Sequence, residues 1–135
     1  MNKILLACFA LSLLFAANAF AANFPICGSG KRSNCVVDGD TFWMGRTKVR
    51  VADIDAPEIG GAKCASEKAL GVKAQRRLSE LLRAGGFELR PFGNRKKDKY
   101  GRDLFVVIRQ GASLGDQLVK EGLARTWSGR RMPWC

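Results

Sequence analysis

Thr41-Phe42-Trp43-Met44-Gly45-Arg46-Thr47-Lys48-Val49-Arg50-Val51-Ala52-Asp53-Ile54-Asp55-Ala56-Pro57-Glu58 is the stretch that decides the fold. Two β-forming runs, 41–44 and 47–54, flank Gly45-Arg46, and such a pair around a short glycine loop reads as a hairpin. A two-residue loop sets the register, with Thr41 opposite Arg50 and Asp40 opposite Val51. Asp40 and Asp55 then share a face parity, and Arg50 has the opposite one. A straight strand would separate Val51 from Asp55 by roughly 13 Å. The two carboxylates meet only if the strand coils or bends sharply, as strands do at bulges and barrel rims. Arg50 needs a local bend to join them.

Outward from the hairpin, Cys35-Val36-Val37 begins a preceding strand, and residues 22–34 read as an irregular Gly/Ser/Asn-rich lead-in. Leu70, Ala74, Leu78, Leu81 and Leu82 recur at helical spacing, which predicts a helix over 65–83 ended by Gly85-Gly86. Residues 87–92 and 103–109 read as two more strands, joined by the basic loop 93–100. A second, short helix starts at Ser113, whose hydroxyl can cap it with Asp116 at the third position. Leu114, Leu118 and Val119 give that helix an apolar face, and Gly122 ends it. The order is three strands, helix, two strands, helix: an α+β chain, mostly β. It suits a five-stranded Greek-key barrel of the oligonucleotide-binding type. Periodicity alone also permits another α+β arrangement.

The chain has 135 residues. Its start reads as a signal peptide over residues 1–21: Asn2-Lys3 is a positive entry, 4–17 is almost wholly apolar, and small residues surround the exit at Ala19 or Ala21. The apolar run is short for a membrane span, so no stable membrane anchor is expected. The chain is expected to be exported to the periplasm or secreted. Residues 22–135 then form one domain of about 114 residues, with a modest core. Cys8 leaves with the leader, and Cys27, Cys35, Cys64 and Cys135 remain. An even count in an exported domain reads as two disulfides. Three connectivities are possible; the spacing of Cys27 and Cys35 suits a local loop, which leaves Cys64–Cys135 to tie the last residue to the start of the long helix. A metal-binding role for these cysteines is disfavoured by the lack of Cys-x-x-Cys spacing and of any histidine. The net charge of +11 favours polyanionic partners.

Three runs carry chemistry: Asp38-Gly39-Asp40-Thr41, Arg50 through Asp55-Ala56-Pro57-Glu58, and Asp98-Lys99-Tyr100-Gly101-Arg102. Each has an ordinary reading. Asp-Gly is a common turn, Asp55-Ala56-Pro57 is a strand exit, and Lys96 to Arg102 is a basic surface loop. Together they supply carboxylates for a hard cation, two arginines whose planar forks match phosphate oxygens, and a spare carboxylate. Lys97 and Lys99 can hold a phosphate backbone without reading sequence. Tyr100 can stack on a nucleotide or pack at the rim.

Residues 36–127 resemble a staphylococcal-type nuclease domain. The resemblance implies a calcium ion between Asp40, Asp55 and the carbonyl of Ala56. It implies phosphate binding by Arg50 and Arg102, and water activated or oriented by Glu58. Asp38 matches an aspartate supporting the metal-bound water, and Asp98 and Tyr100 match the family's Asp-Lys-Tyr-Gly-Arg run. The chain ends soon after Trp127, where family members continue into a helix bearing nucleotide-flanking tyrosines. Trp127 and Trp134 are the aromatics available there, to stack on a base or to plug the core.

The leading expectation is therefore a monomeric, exported, calcium-dependent nuclease acting on DNA and RNA and leaving 3′-phosphate ends. The alternatives are a non-catalytic nucleic-acid-binding barrel and a cationic envelope-binding protein. A binding barrel needs none of Asp40, Asp55 and Glu58, and carboxylates in a basic protein repel phosphate unless a cation intervenes.

Overall fold

The computed structural model describes residues 23–135. The leader predicted at 1–21 lies outside the described residues. In chain order the elements are β1 (Cys35–Asp38), β2 (Thr41–Met44), β3 (Thr47–Val51), β4 (Ile54–Asp55), α1 (Ala65–Arg83), β5 (Glu88–Pro91), β6 (Asp103–Arg109), β7 (Ala112–Ser113), α2 (Leu114–Lys120) and β8 (Arg125–Thr126).

The hairpin forms in the expected register: Thr41 pairs with Arg50 and Met44 with Thr47, leaving Gly45-Arg46 as the loop. Gly45 takes φ +58°, the positive φ that two-residue hairpin loops demand. Phe42, Val49 and Val51 point inward and are fully buried. A slip of one residue would send them all to solvent, so burial pins the register. The strand ends at Val51, earlier than its composition suggests. Ala52 and Asp53 form a turn, and Ile54–Asp55 become a separate strand paired antiparallel with β8.

The main sheet runs β1-β2-β3-β6-β5, with β7 added to β6. β3 and β6 are parallel, Val49 to Asp103, and the other pairs are antiparallel. The chain is α+β as expected, and the hydrogen-bonded path is open, so the five strands of the expected barrel do not close in it. β1 and β5 are its two ends, and the two-residue strands β4 and β8 form a separate two-stranded sheet. The free edge of β1 is met instead by the lead-in. Val36 N–H donates to the Pro25 carbonyl at 2.8 Å, and Cys27 N–H donates to the Val36 carbonyl at 2.9 Å. That segment is therefore less irregular than its composition suggests. Phe24 is buried and meets the Phe42 and Phe87 rings edge-on.

α1 spans the predicted 65–83 and buries Ala74, Leu78, Leu81 and Leu82 against the sheet. Its Gln75 Nε2 donates to the Val37 carbonyl at 2.8 Å, fixing the helix beside β1. α2 is capped as expected: Ser113 Oγ accepts from Asp116 N–H at 3.0 Å. Its Leu118 completes the core with Val107 of β6. Each such aliphatic side chain contributes about 1.5–3 kcal/mol when fully buried. No helix among the described residues is long and apolar enough to cross a membrane. The sulfurs of Cys27 and Cys35 lie 1.96 Å apart, and those of Cys64 and Cys135 lie 2.06 Å apart.

Candidate active site

The turn at Ala52-Asp53 solves the separation problem posed by a straight strand. It folds the chain back so that Asp55 returns beside the start of β2, and Arg50 braces the bend. Arg50 Nη1 donates to the carbonyls of Val51 and Ile54, the latter at 2.8 Å. Its Nη2 lies 3.5 Å from Asp40 Oδ2 and 3.8 Å from Asp55 Oδ1. Asp40, Arg50 and Asp55 are thus a buried triad, exposed by 2%, 6% and 4%. Three charges so removed from water persist only when paired and hydrogen-bonded.

Asp40 is held on both oxygens. Oδ1 accepts from the Thr41 hydroxyl at 3.0 Å, and Oδ2 accepts from the Ala56 N–H at 2.9 Å. The second bond ties β2 to the strand exit and brings the Ala56 peptide to the carboxylates. Asp55 Oδ1 is buried with no hydrogen-bond partner among the described residues. Burial, and then repulsion from Asp40, raise the Asp55 pKa, and Arg131 and Arg50 oppose the rise. Asp38 Oδ1 accepts from the Asp40 N–H at 3.1 Å. Burial and the adjacent Asp40 charge push the Asp38 carboxyl up to about 8. Among the described residues, no group of three or more Asp, Glu, His or Cys side chains gathers as a metal site. The oxygen donors that the site offers a cation are the carboxylates of Asp40 and Asp55 and the peptide of Ala56 beside them. The unsatisfied Asp55 oxygen and the mutual repulsion of the acids fit a hard divalent cation, because such an ion takes oxygen donors and relieves that repulsion.

Arg102 stands at the mouth of β6. Its Nε donates to Asp98 Oδ2 at 2.6 Å, and its Nη1 donates to the Thr41 hydroxyl at 3.3 Å. Asp98 Oδ1 also accepts from the Tyr100 and Arg102 backbone N–H groups, at 2.9 and 3.0 Å. Burial works against ionisation of Asp98, but these bonds and the Arg102 charge win and hold its pKa below the usual value. Thr41 links the two arginine sites, since its hydroxyl also donates to Asp40.

A cleft of about 740 Å³ opens over this centre, lined by Arg50, Lys99, Tyr100, Arg102, Trp127 and Arg131 among others. Tyr100 is 72% exposed, with the Lys99 ammonium and Arg102 guanidinium near its ring. The Trp127 ring lies 5.8 Å from the Arg50 guanidinium carbon. Lys97 does not line the cleft: its Nζ pairs with Asp103 Oδ1 at 2.8 Å. Sequence reasoning misses Phe92 and Arg95, which also line the cleft. It misses Arg131 too, whose Nη1 donates to Glu58 Oε1 and whose Nε lies 3.9 Å from Asp55 Oδ1. The signal for Arg131 is its place four residues before Cys135, so that pairing with Cys64 draws it toward Glu58. Trp134 sits under the Arg125 guanidinium at 3.8 Å and lines a second cavity of about 490 Å³ with Asp55, Glu58 and Arg131.

Residues 48–132 match the family model described as staphylococcal nuclease homologue. Endonuclease YhcR of Bacillus subtilis is 38% identical over 102 residues, covering 68% of this chain and 8% of that protein. Endonuclease YncB of the same organism is 34% identical over 93 residues, 66% of this chain and 44% of that protein. An uncharacterized endonuclease of Haemophilus influenzae is 35% identical over 105 residues, 71% of this chain and 53% of that protein. The chain thus spans about half or less of the relatives it matches. The matched span runs from Lys48 in β3 to Met132 and takes in Arg50, Asp55, Glu58, Arg102 and Arg131, and on that match the chain belongs to the staphylococcal nuclease homologue family.

Proposed function

We propose that this protein is a calcium-dependent nuclease that hydrolyses phosphodiester bonds of DNA and RNA. The observation that carries the reading is the buried Asp40–Arg50–Asp55 triad, whose Arg50 lines a cleft shared with Arg102, Tyr100 and Trp127. A nucleic-acid-binding module has no use for two buried aspartates paired with an arginine that lines its groove. The open sheet is the family's oligonucleotide-binding barrel in this reading, with β1-β2-β3-β6-β5 as its five main strands. The cysteine pairs and the apolar start of the chain favour export to the periplasm or medium.

Asp40, Asp55 and the Ala56 carbonyl would hold the calcium ion. When bound, such an ion supplies a Lewis acid for a phosphoryl oxygen and neutralises its charge. Arg50 and Arg102 present fixed guanidinium donors to the scissile phosphate. Their hydrogen bonds strengthen as charge grows on the five-coordinate phosphorus, which lowers the barrier. Pre-pairing with Asp98 sets the Arg102 side chain before substrate arrives, so little entropy is lost on binding. Glu58 takes a proton from the attacking water or holds that water in line. Tyr100, Trp127 and Phe92 offer faces on which bases stack without sequence preference. Lys99 and Arg95 hold the backbone.

A DNA zymogram with calcium and with chelator tests the activity, and purified Arg102→Ala and Glu58→Gln test the roles. Loss of Arg102 should lower turnover by roughly 10²–10³. Glu58→Gln should cost on the order of 10²–10⁴. DNA binding should survive better than cleavage in both, since many cations remain. Full activity in excess chelator, or parallel loss of binding and turnover, would overturn the reading.

A further inference from the structure

Residues 127–135 have no regular secondary structure, yet they are fixed at both ends. At the near end, β8 pairs with β4, and Trp127 N–H donates to the Asp53 carbonyl at 2.9 Å. At the far end, Cys135 is joined to Cys64, the residue immediately before α1. Between the ends, Arg125 binds the arch from beneath. Its Nη1 donates to the carbonyls of Met132 and Pro133 at 3.3 and 2.9 Å, and its guanidinium stacks on Trp134. The crown of the arch is Arg131. It pairs with Glu58 and stands beside Asp55, at the boundary between the two cavities.

We propose that Arg131 is a positioning residue for Glu58, delivered to the site by a C-terminal arm that the Cys64–Cys135 bond holds in place. This rests on the nuclease reading of the site. Glu58 follows Pro57 on a strand exit, and among the contacts described its carboxylate has no hydrogen bond except the one from Arg131. A carboxylate on a loop otherwise samples several rotamers, and a misplacement of about 1 Å can cost 10²-fold in rate. The planar fork of arginine fixes a carboxylate better than a point charge does. The Cys64–Cys135 bond anchors that fork at the start of α1, beside the cavity that Glu58, Arg131 and Cys135 line together. Activity is thereby linked to an oxidising compartment, because reduction frees the arm.

The test compares wild type, Arg131→Ala, Arg131→Lys and the double variant Cys64→Ser/Cys135→Ser, each confirmed folded by circular dichroism, on a single-stranded DNA oligonucleotide with calcium. Arg131→Ala should lower kcat roughly 10–100-fold, the usual cost of an orienting partner, with KM little changed. Arg131→Lys should recover part of the loss. The double serine variant should lose a similar factor, and adding Arg131→Ala to it should cost little more, since both act through one contact. A crystal structure of Arg131→Ala gives a readout that needs no turnover: the Glu58 side chain should leave its position while β3 and α1 stay in place. A raised KM with intact kcat would make Arg131 a substrate contact, and a raised kcat would make the arm a block. Either result, or an unmoved Glu58, overturns the proposal. Wild type that does not cleave DNA sinks the nuclease reading instead, and the crystallographic arm still decides the placement of Glu58.

Discussion

Asp98 grips Arg102 with both carboxylate oxygens, Oδ1 on the backbone N–H at 3.0 Å and Oδ2 on Nε at 2.6 Å. The same residue therefore shapes the loop and holds the arginine that lines the cleft. Its folded pKa is depressed below 3.8, so the folded state binds the proton less tightly than the unfolded chain does. The resulting stability is present above about pH 4 and is lost as pH falls through the folded pKa. Asp98→Asn keeps an oxygen for the backbone donors and removes the charge. It should be less stable than wild type by about 1–3 kcal/mol at neutral pH, the range for a charged hydrogen bond. Urea unfolding at a series of pH values checks this: the gap should close as pH drops below about 4. A gap that stays constant down to acid pH contradicts the assignment.

The buried pair of acids makes a second prediction, read without turnover. Burial and Asp40 raise the Asp55 pKa. A raised carboxylate pKa means stability that is fully present below the unfolded pKa and declines as pH rises through the folded one. Ionised Asp55 is thus a cost to the cation-free protein at neutral pH. Asp55→Asn should melt no lower than wild type without calcium. Calcium should raise the melting temperature of wild type, since a ligand at 100 times its Kd adds about 2.7 kcal/mol. The variant should not respond. Scanning calorimetry with calcium and with chelator reads both effects. An equal calcium shift in wild type and variant removes Asp55 from the cation site.

Local chemistry wrote much of this fold legibly. The Thr41–Arg50 register follows from a two-residue loop, and the α1 boundaries follow from leucine spacing and a glycine stop. The cap at Ser113 follows from its hydroxyl. What escapes sequence reasoning is tertiary. Nothing in 47–54 marks the break after Val51, because Ala52-Asp53 carries no glycine or proline. The bend is stabilised by Arg50 reaching back to the Val51 and Ile54 carbonyls and by Trp127 from the far end of the chain. The open path of the sheet is equally unannounced: residues 25–27 reach the edge of β1, and no local pattern marks that. Of the site, Asp40, Arg50 and Asp55 converge, Arg102 and Asp98 pair as neighbours, and Lys97 goes elsewhere. Arg131 was legible only through the cysteine pairing that draws it in.

The last prediction concerns how the long helix positions the site. Gly71 is buried in α1, and a Cβ built on it would stand 2.7 Å from the Glu58 carbonyl oxygen and 2.9 Å from that of Pro57. In a solvent-exposed helix, glycine to alanine gains up to about 1 kcal/mol. Here the new methyl meets backbone oxygens, which cannot swing aside as a side chain can. The helix must retreat or residues 56–58 must shift, and those residues include the Ala56 carbonyl and Glu58. Gly71→Ala should therefore lose about 1–3 kcal/mol, the usual cost of overpacking. Its calcium-induced rise in melting temperature and its turnover should both fall, because the proposed cation ligand Ala56 and the proposed water-orienting Glu58 ride on the displaced segment. Gly28→Ala is the control, since a Cβ there meets nothing within 4 Å, and it should match wild type in both measurements. A Gly71→Ala protein with higher stability and an undiminished calcium response would show that helix and site loop are not in the contact described.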